Sequence, residues 1–181
     1  EDFSHIEDYA HFKGKIAKYT VDLCKKNNLR LVISGKFPLE SDYFDFYANV
    51  DTIIMGNNTY RFVQNMDIEY PYKGKKSYVV TRDASLTEDE NVTFVSSAQI
   101  IEIVKGLHES SGRDIWLVGG GQVNTLFAND GLIDEMIVHL MPIVLGEGIP
   151  LFGEGFTQKM LTLKSSKEYK SGVIELKYKF S

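Results

Sequence analysis

Asp114 to Phe127, DIWLVGGGQVNTLF, is the stretch on which the fold turns. Ile115 to Val118 is apolar and partly β-branched, as a buried strand is, and Gly119-Gly120-Gly121 stops it ahead of a predicted helix. Glycines between a strand and a helix let the backbone approach a ligand closely. The helix end there offers free N–H groups and a partial positive charge to an anion. A tight strand-to-helix turn needs the same glycines for its dihedral angles alone. Both readings stand until the surroundings are placed.

Outward from this stretch the same signals recur. Val50 to Met55 (VDTIIM) predicts a strand stopped by Gly56. Asn57, Asn58 and Thr59 then suit the cap of a helix through Tyr60, Phe62 and Val63. Lys76 to Thr81 predicts a third strand that ends at Arg82, and Asn91 to Val95 a fourth. Ser96-Ser97 caps a helix reaching about Leu107. Earlier in the chain, Arg30 to Ser34 reads as a short strand and Asp42 to Asn49 as an aromatic-rich helix. Gly14 to Asn27 reads as a helix, with a strand at KYTVDL as the alternative. Strands alternating with helices imply a mainly parallel sheet covered on both faces.

The tail breaks that rhythm. Met136 to Leu145 reads as a long strand interrupted by Pro142, and the glycine-rich GEGIPLFGEG follows. Lys159–Lys167 and Val173–Phe180 alternate as an antiparallel hairpin about Ser171-Gly172. The expected fold class is α/β, a mixed and mainly parallel sheet with a C-terminal antiparallel hairpin. Residues 30–181 form the domain, and residues 1–29 an N-terminal extension or replaced first segment.

Bulk properties narrow the function. Hydrophobic content of 43% and charged content of 25% are those of a soluble globular chain, and a net charge of -5 argues against a nucleic-acid surface. The single cysteine, Cys24, allows no internal disulfide, which fits a reducing, cytoplasmic setting. Four scattered histidines offer no metal-ligand spacing, and no stretch has the length of a membrane span. The expected partner is a small molecule.

Three predicted strand ends carry glycine or polar groups: Gly56 to Thr59, Thr81-Arg82 and Gly119 to Gly121. In a parallel sheet these ends share one edge, where ligands of open α/β sheets bind. The Rossmann fingerprint does not match, since Asn124 stands where its third glycine belongs. No Gly-Lys-Ser/Thr follows a glycine run, so a P-loop is excluded.

MGNNTY (55–60), VVTR (79–82), IWLVGGGQVNTLF (115–127) and LMPIVLGEGIPLF (140–152) together resemble the dihydrofolate reductase-like superfamily. The similar branch is the reductase (C-terminal) domain of bifunctional riboflavin-biosynthesis enzymes, over roughly residues 30–181. The resemblance implies a three-layer α/β/α fold, a homodimer, and NADPH lying across the strand ends, with NADH or a flavin as other occupants. It places Gly56, Asn57, Asn58 and Thr59 on the pyrophosphate and Thr81 and Arg82 at the adenosine 2′-phosphate. Val118, Gly119, Gly120, Gly121, Gln122 and Val123 would wrap the pyrophosphate and nicotinamide side, with a Gly-Gly pair often joined by a cis peptide. The loop at Gly146 to Pro150 would be structural, with the substrate side as a surface for it to line. The implied reaction is hydride transfer to a small heterocycle such as a pterin or pyrimidine.

The chain departs from that pattern twice. Asn57 and Asn58 stand where basic residues are usual, and Ser34-Gly35-Lys36 replaces a Ser-x-Asp-Gly segment that leads into the catalytic loop. Glu40, Asp42 and Asp45 are then the candidate carboxylates for proton delivery. These departures also leave open a non-catalytic nucleotide- or flavin-binding module, or a structural dimer scaffold. Trp116 and the aromatic run Tyr43, Phe44, Phe46 and Tyr47 read as packing residues. His139 reads as a satisfied, half-buried strand histidine.

Overall fold

The computed structural model describes residues 43–180, apart from 67–68, 87–88, 111, 143 and 145–147. The expected helix at 14–27, the strand at 30–34, the segment 1–29, and Glu40 and Asp42 lie outside the described residues, as do residues 146–147 of the 146–150 loop. The elements in order are α1 (Tyr43–Asn49), β1 (Val50–Gly56), α2 (Asn57–Gln64), β2 (Lys76–Val80), β3 (Thr93–Val95) and α3 (Ser97–Glu109). There follow β4 (Asp114–Gly119), α4 (Gly121–Asn129), β5 (Glu135–Leu140), β6 (Leu161–Glu168) and β7 (Ile174–Phe180).

The β-branched runs form a four-stranded parallel sheet in the order β3-β2-β1-β4, as the alternation of strands and helices predicts. Both faces are covered, so the strands are apolar on both sides. Ile54, Val80, Ile115 and Leu117 pack with Ile100, Ile101 and Val104 of α3 and Val123 and Phe127 of α4. Ile53, Met55, Val79 and Trp116 face the other way, against Tyr60 and Val63 of α2 and Phe46 and Tyr47 of α1. That is a three-layer α/β/α sandwich. Trp116 is 3% exposed, and the rings of Phe46, Tyr47 and Tyr72 meet it edge-on at 5.3, 6.2 and 5.5 Å. Core packing therefore holds for Trp116, Phe46 and Tyr47, whereas Phe44 is 62% exposed.

Helix α1 is too short to persist on propensity alone, and cations secure its C-terminal carbonyls. The Lys75 ammonium donates to Tyr47 O at 3.0 Å and to Val50 O at 2.7 Å, and Arg113 Nη1 donates to Ala48 O at 3.1 Å. Burial holds the Lys75 pKa below its ordinary value.

The tail forms an antiparallel three-stranded sheet, β5-β7-β6, whose inner residues Met136, Val138, Leu161, Tyr178 and Phe180 join the cluster beneath α3 and α4. Among the described residues it is a sheet of its own rather than an edge of the parallel one. The long strand expected over Met136 to Leu145 stops at Leu140. Pro142 has no N–H to continue a ladder, and it sits instead where a Cβ on Gly172 would lie 3.4 Å from its Cγ. His139 is fully buried rather than half-buried: Nε2 lies 2.9 Å from Glu175 Oε2, which also accepts from the Tyr169 hydroxyl at 2.9 Å. Burial pushes the Glu175 carboxyl up, but the bonds from His139 and Tyr169 and the Lys177 charge outweigh it and hold it at about 2.

Candidate functional site

Register brings the expected strand ends together. Gly56 pairs with Val80, one residue before Thr81, and Met55 pairs with Gly119, so Gly56, Thr81 and Gly119 share the C-terminal edge of the sheet. The helices that follow these strands approach one another there. A Cβ built on Gly56 would lie 3.1 Å from Val123 Cγ2 and 3.7 Å from Gly119 O, and one built on Gly120 would lie 3.6 Å from Thr59 Oγ1. Glycine at 119 and 120 is also set by backbone shape, with φ of 125° and 91°. The cis Gly-Gly peptide implied by the resemblance is not found among the described residues; positive φ angles turn the chain instead.

The helix starts at this edge correct one sequence reading. Asn57 to Thr59 were expected to cap α2, but its N-cap is Gly56 at φ -80° and ψ 156°, and no side chain caps it. The strand runs up to Gly56 without a break, so the asparagines fall inside the first turn, where they contribute N–H groups rather than cap them. Helix α4 starts the same way, from Gly120 with no side-chain cap. Two helix ends therefore present unsatisfied N–H groups within one cradle. Helix α3 differs: Ser96 accepts from Gln99 N at 3.3 Å while Gln99 Oε1 accepts from Ser96 N at 2.8 Å, a complete capping box as the serines predicted.

Thr81 N–H continues the sheet to Val95 O at 2.9 Å, and the Thr81 hydroxyl accepts from Asp83 N at 3.0 Å. Asp83 Oδ1 in turn takes the Ser85 N–H and hydroxyl at 3.0 and 2.6 Å, which, with the Arg61 charge, keeps its pKa low. Arg82 stands exposed on this small turn and, among the described residues, pairs with no carboxylate. Its guanidinium is free to meet an anion. Tyr60, from the same motif as the asparagines, is tied away from the edge: its hydroxyl donates to Asp89 at 2.6 Å, and burial with that bond pushes its pKa well up.

Gly121 serves a different neighbour. A Cβ there would lie 2.8 Å from Pro150 O and 3.1 Å from Gly153 N, and Gly153 N–H donates to Gly121 O at 2.9 Å. The chain from Pro150 onward thus rests on the first turn of α4. Asn124 donates from Nδ2 to Leu151 O at 2.7 Å, while its Oδ1 is buried with no partner. Leaving such an acceptor unpaired costs about 1–3 kcal/mol. Asn57 Oδ1 is likewise buried and unpaired. Sequence reading missed Asn124 as a site-building residue; its one trace was that it occupies the place of a Rossmann glycine.

Of the candidate carboxylates only Asp45 is described, on the exposed side of α1, its backbone carbonyl accepting from Asn49 Nδ2 at 2.9 Å. No grouping of His, Cys, Asp and Glu among the described residues could hold a metal, and no described helix is long and apolar enough to cross a membrane. A hollow of about 310 Å³ lined by Tyr72, Lys73, Lys75 and Glu90 lies before the start of β2, away from these strand ends.

The architecture matches a known family. Residues 33–174 match the model of the RibD C-terminal domain, and the chain belongs to that family. Protein YwjB of Bacillus subtilis (strain 168), itself uncharacterized, is 37% identical over 134 residues, 74% of this chain and 76% of its own. A riboflavin biosynthesis-like protein of Shewanella sp. PV-4 has a crystal structure that superposes with a TM-score of 0.64 at 26% identity, covering 81% of this chain and 84% of that one. The fold is also that of the dihydrofolate reductase of Enterococcus faecalis, solved with NADP(H): TM-score 0.56 at 14% identity, over 82% and 89% of the two chains. The chain is thus reductase-like in family and dihydrofolate reductase-like in fold.

Proposed function

We propose that this protein is an NADPH-dependent reductase that passes a hydride to a small heterocycle of the pterin or pyrimidine kind, acting in the cytoplasm as a homodimer. The observation that carries the reading is the pair of uncapped helix starts meeting at Gly120 and Thr59, beside a strand end that presents Arg82. The N–H groups of Asn57, Asn58, Gly121 and Gln122 suit a pyrophosphate, since two helix dipoles favour negative charge there. Gly119 and Gly120, with no side chains, admit it to backbone distance. Thr59 Oγ1 donates to a phosphate oxygen, and Arg82 takes the 2′-phosphate as a two-pronged donor. The unpaired Asn57 Oδ1 has the wrong polarity for phosphate, so at that position the backbone does the binding. When bound, the nicotinamide supplies the hydride.

Proton delivery falls to a carboxylate, with Glu40, Asp42 and Asp45 as candidates. The exposure of Asp45 favours a second reading, a nucleotide-binding module without turnover. Calorimetric titration with NADPH and NADH tests the cofactor, and NADPH oxidation across dihydropterins and pyrimidines tests turnover. Arg82→Ala is expected to weaken NADPH about tenfold, worth about 1.4 kcal/mol, and NADH hardly at all. Equal losses would remove Arg82 from the 2′-phosphate, and binding with no oxidation would favour the module.

A further inference from the structure

The reading above leaves unused the joint between α4 and the chain from Pro150 to Thr157. That joint is made of side chains bonded to backbone. Asn124 donates to Leu151 O at 2.7 Å, the Thr125 hydroxyl to Gly153 O at 3.2 Å and Asn129 Nδ2 to Gly155 O at 2.8 Å. Asn129 Oδ1 accepts from Thr157 N at 2.9 Å, and Gly153 N closes on Gly121 O at 2.9 Å. Contact is close enough that a Cβ on Gly153 would lie 3.2 Å from Gln122 N. One side of the first turn of α4 therefore carries the 150–153 backbone, and the residue before it, Gly120, faces Thr59. A shift of the glycine turn carries Pro150 with it, and beside Pro150 the 53% exposed Ile149.

Asn124 is the innermost of these bonds. It is 2% exposed, its Nδ2 is used and its Oδ1 is not. Its place in the fold is therefore set by the one bond it donates to Leu151 O, which ties α4 to the 150–153 backbone.

We propose that Asn124 is a positioning residue that couples occupancy of the Gly119–Gly120 turn to the placement of Ile149 and Pro150. The proposal rests on the nucleotide reading given above. A ligand moves an equilibrium only through interactions that differ between its states. Here the N–H groups that would meet the phosphates, those of Gly121 and Gln122, belong to the same turn on which the 150–153 backbone rests.

Hydrogen–deuterium exchange on the intact chain, with and without saturating NADPH, tests this beside calorimetric titration. In the unaltered protein NADPH is expected to slow exchange across 150–157, at Gly153 above all, by about tenfold, and in Asn124→Asp by less than about twofold. The substituted carboxylate has the same shape as the amide but no donor, and the NADPH Kd is expected to stay within about threefold. Asn129→Ala, at an exposed position that tolerates change, is expected to remove the slowing at Thr157 and leave it at Gly153. Slowing that survives in Asn124→Asp, or slowing at Thr157 that survives in Asn129→Ala, overturns the coupling. A loss of NADPH affinity beyond about tenfold in Asn124→Asp also overturns it, because Asn124 would then contact the nucleotide itself. NADPH binding without any slowing in the unaltered protein sinks this inference alone. No heat on titration sinks the nucleotide reading and this inference together.

Discussion

Helix α3 and the pair α2 and α4 all leave the same edge of one parallel sheet, yet they begin in different ways. Helix α3 satisfies its first turn internally, with Ser96 and Gln99 bonding reciprocally. Helices α2 and α4 follow glycine and are capped by no side chain. A cap contributes about 1 kcal/mol, so two bare ends in a protein that caps the third are a stability forgone. The forgone stability is localised where β1 and β4, the central and outer strands, end side by side. Under the nucleotide reading proposed above, the open ends are the ones that would meet an anion, and the capped one only has to turn the chain.

The comparison can be broken most severely at Gly120. Its φ of 91° is a conformation that side chains rarely adopt, so Gly120→Ala strains the turn and is expected to lower NADPH affinity about 100-fold, close to 2.7 kcal/mol. An affinity within threefold of the parent, measured by calorimetry, would show that the turn stands clear of the nucleotide. Next comes charge. Asn58 is exposed in the first turn of α2, and Asn58→Asp should stabilise the helix by about 0.5 kcal/mol while weakening NADPH about tenfold. Ala98→Asp, at the matching place in α3, should give the same gain in a urea melt and leave affinity alone. Equal effects on binding at both helices would erase the distinction between them. The smallest change expected is Ser96→Ala, which removes the α3 cap, costs about 1 kcal/mol of stability and leaves the NADPH Kd as it was.

Much of this was readable in the residues. Apolar β-branched runs ended by glycine located β1 and β4, and Ser96-Ser97 announced the start of α3. The same run of polar residues misled at α2, because Asn and Thr favour caps in general while the strand here continues to Gly56 and takes the cap position with it. The sequence spacing of Asn124 and Leu151, or of Asn129 and Thr157, follows no helical or strand period. A side chain bonded to a distant carbonyl leaves no pattern in the chain, so the joint behind Gly121 was invisible until the fold placed it. The interruption expected at Pro142 has a reason that was legible, since proline cannot donate to the ladder, and the strand ends just before it at Leu140. The expected carboxylates at 40 and 42 lie outside the described residues, and the third, Asp45, gains no partner that would single it out.

The buried trio of His139, Glu175 and Tyr169 has a consequence for assembly of the tail. His139 lies directly opposite Glu175 across β5 and β7. Sliding β7 by two residues keeps every side chain on its own face, so the alternation of apolar and polar residues does not oppose that error. The slide would bring either Lys177 or Val173 opposite His139. One option sets a cation against a buried imidazole, and both take Glu175 away from His139 inside the protein, where a buried polar group left unpaired costs about 1–3 kcal/mol. Three polar side chains thus act as a key that fits a single alignment of the C-terminal strands, and the chain leading back from β5 to α4 takes its starting point from that alignment.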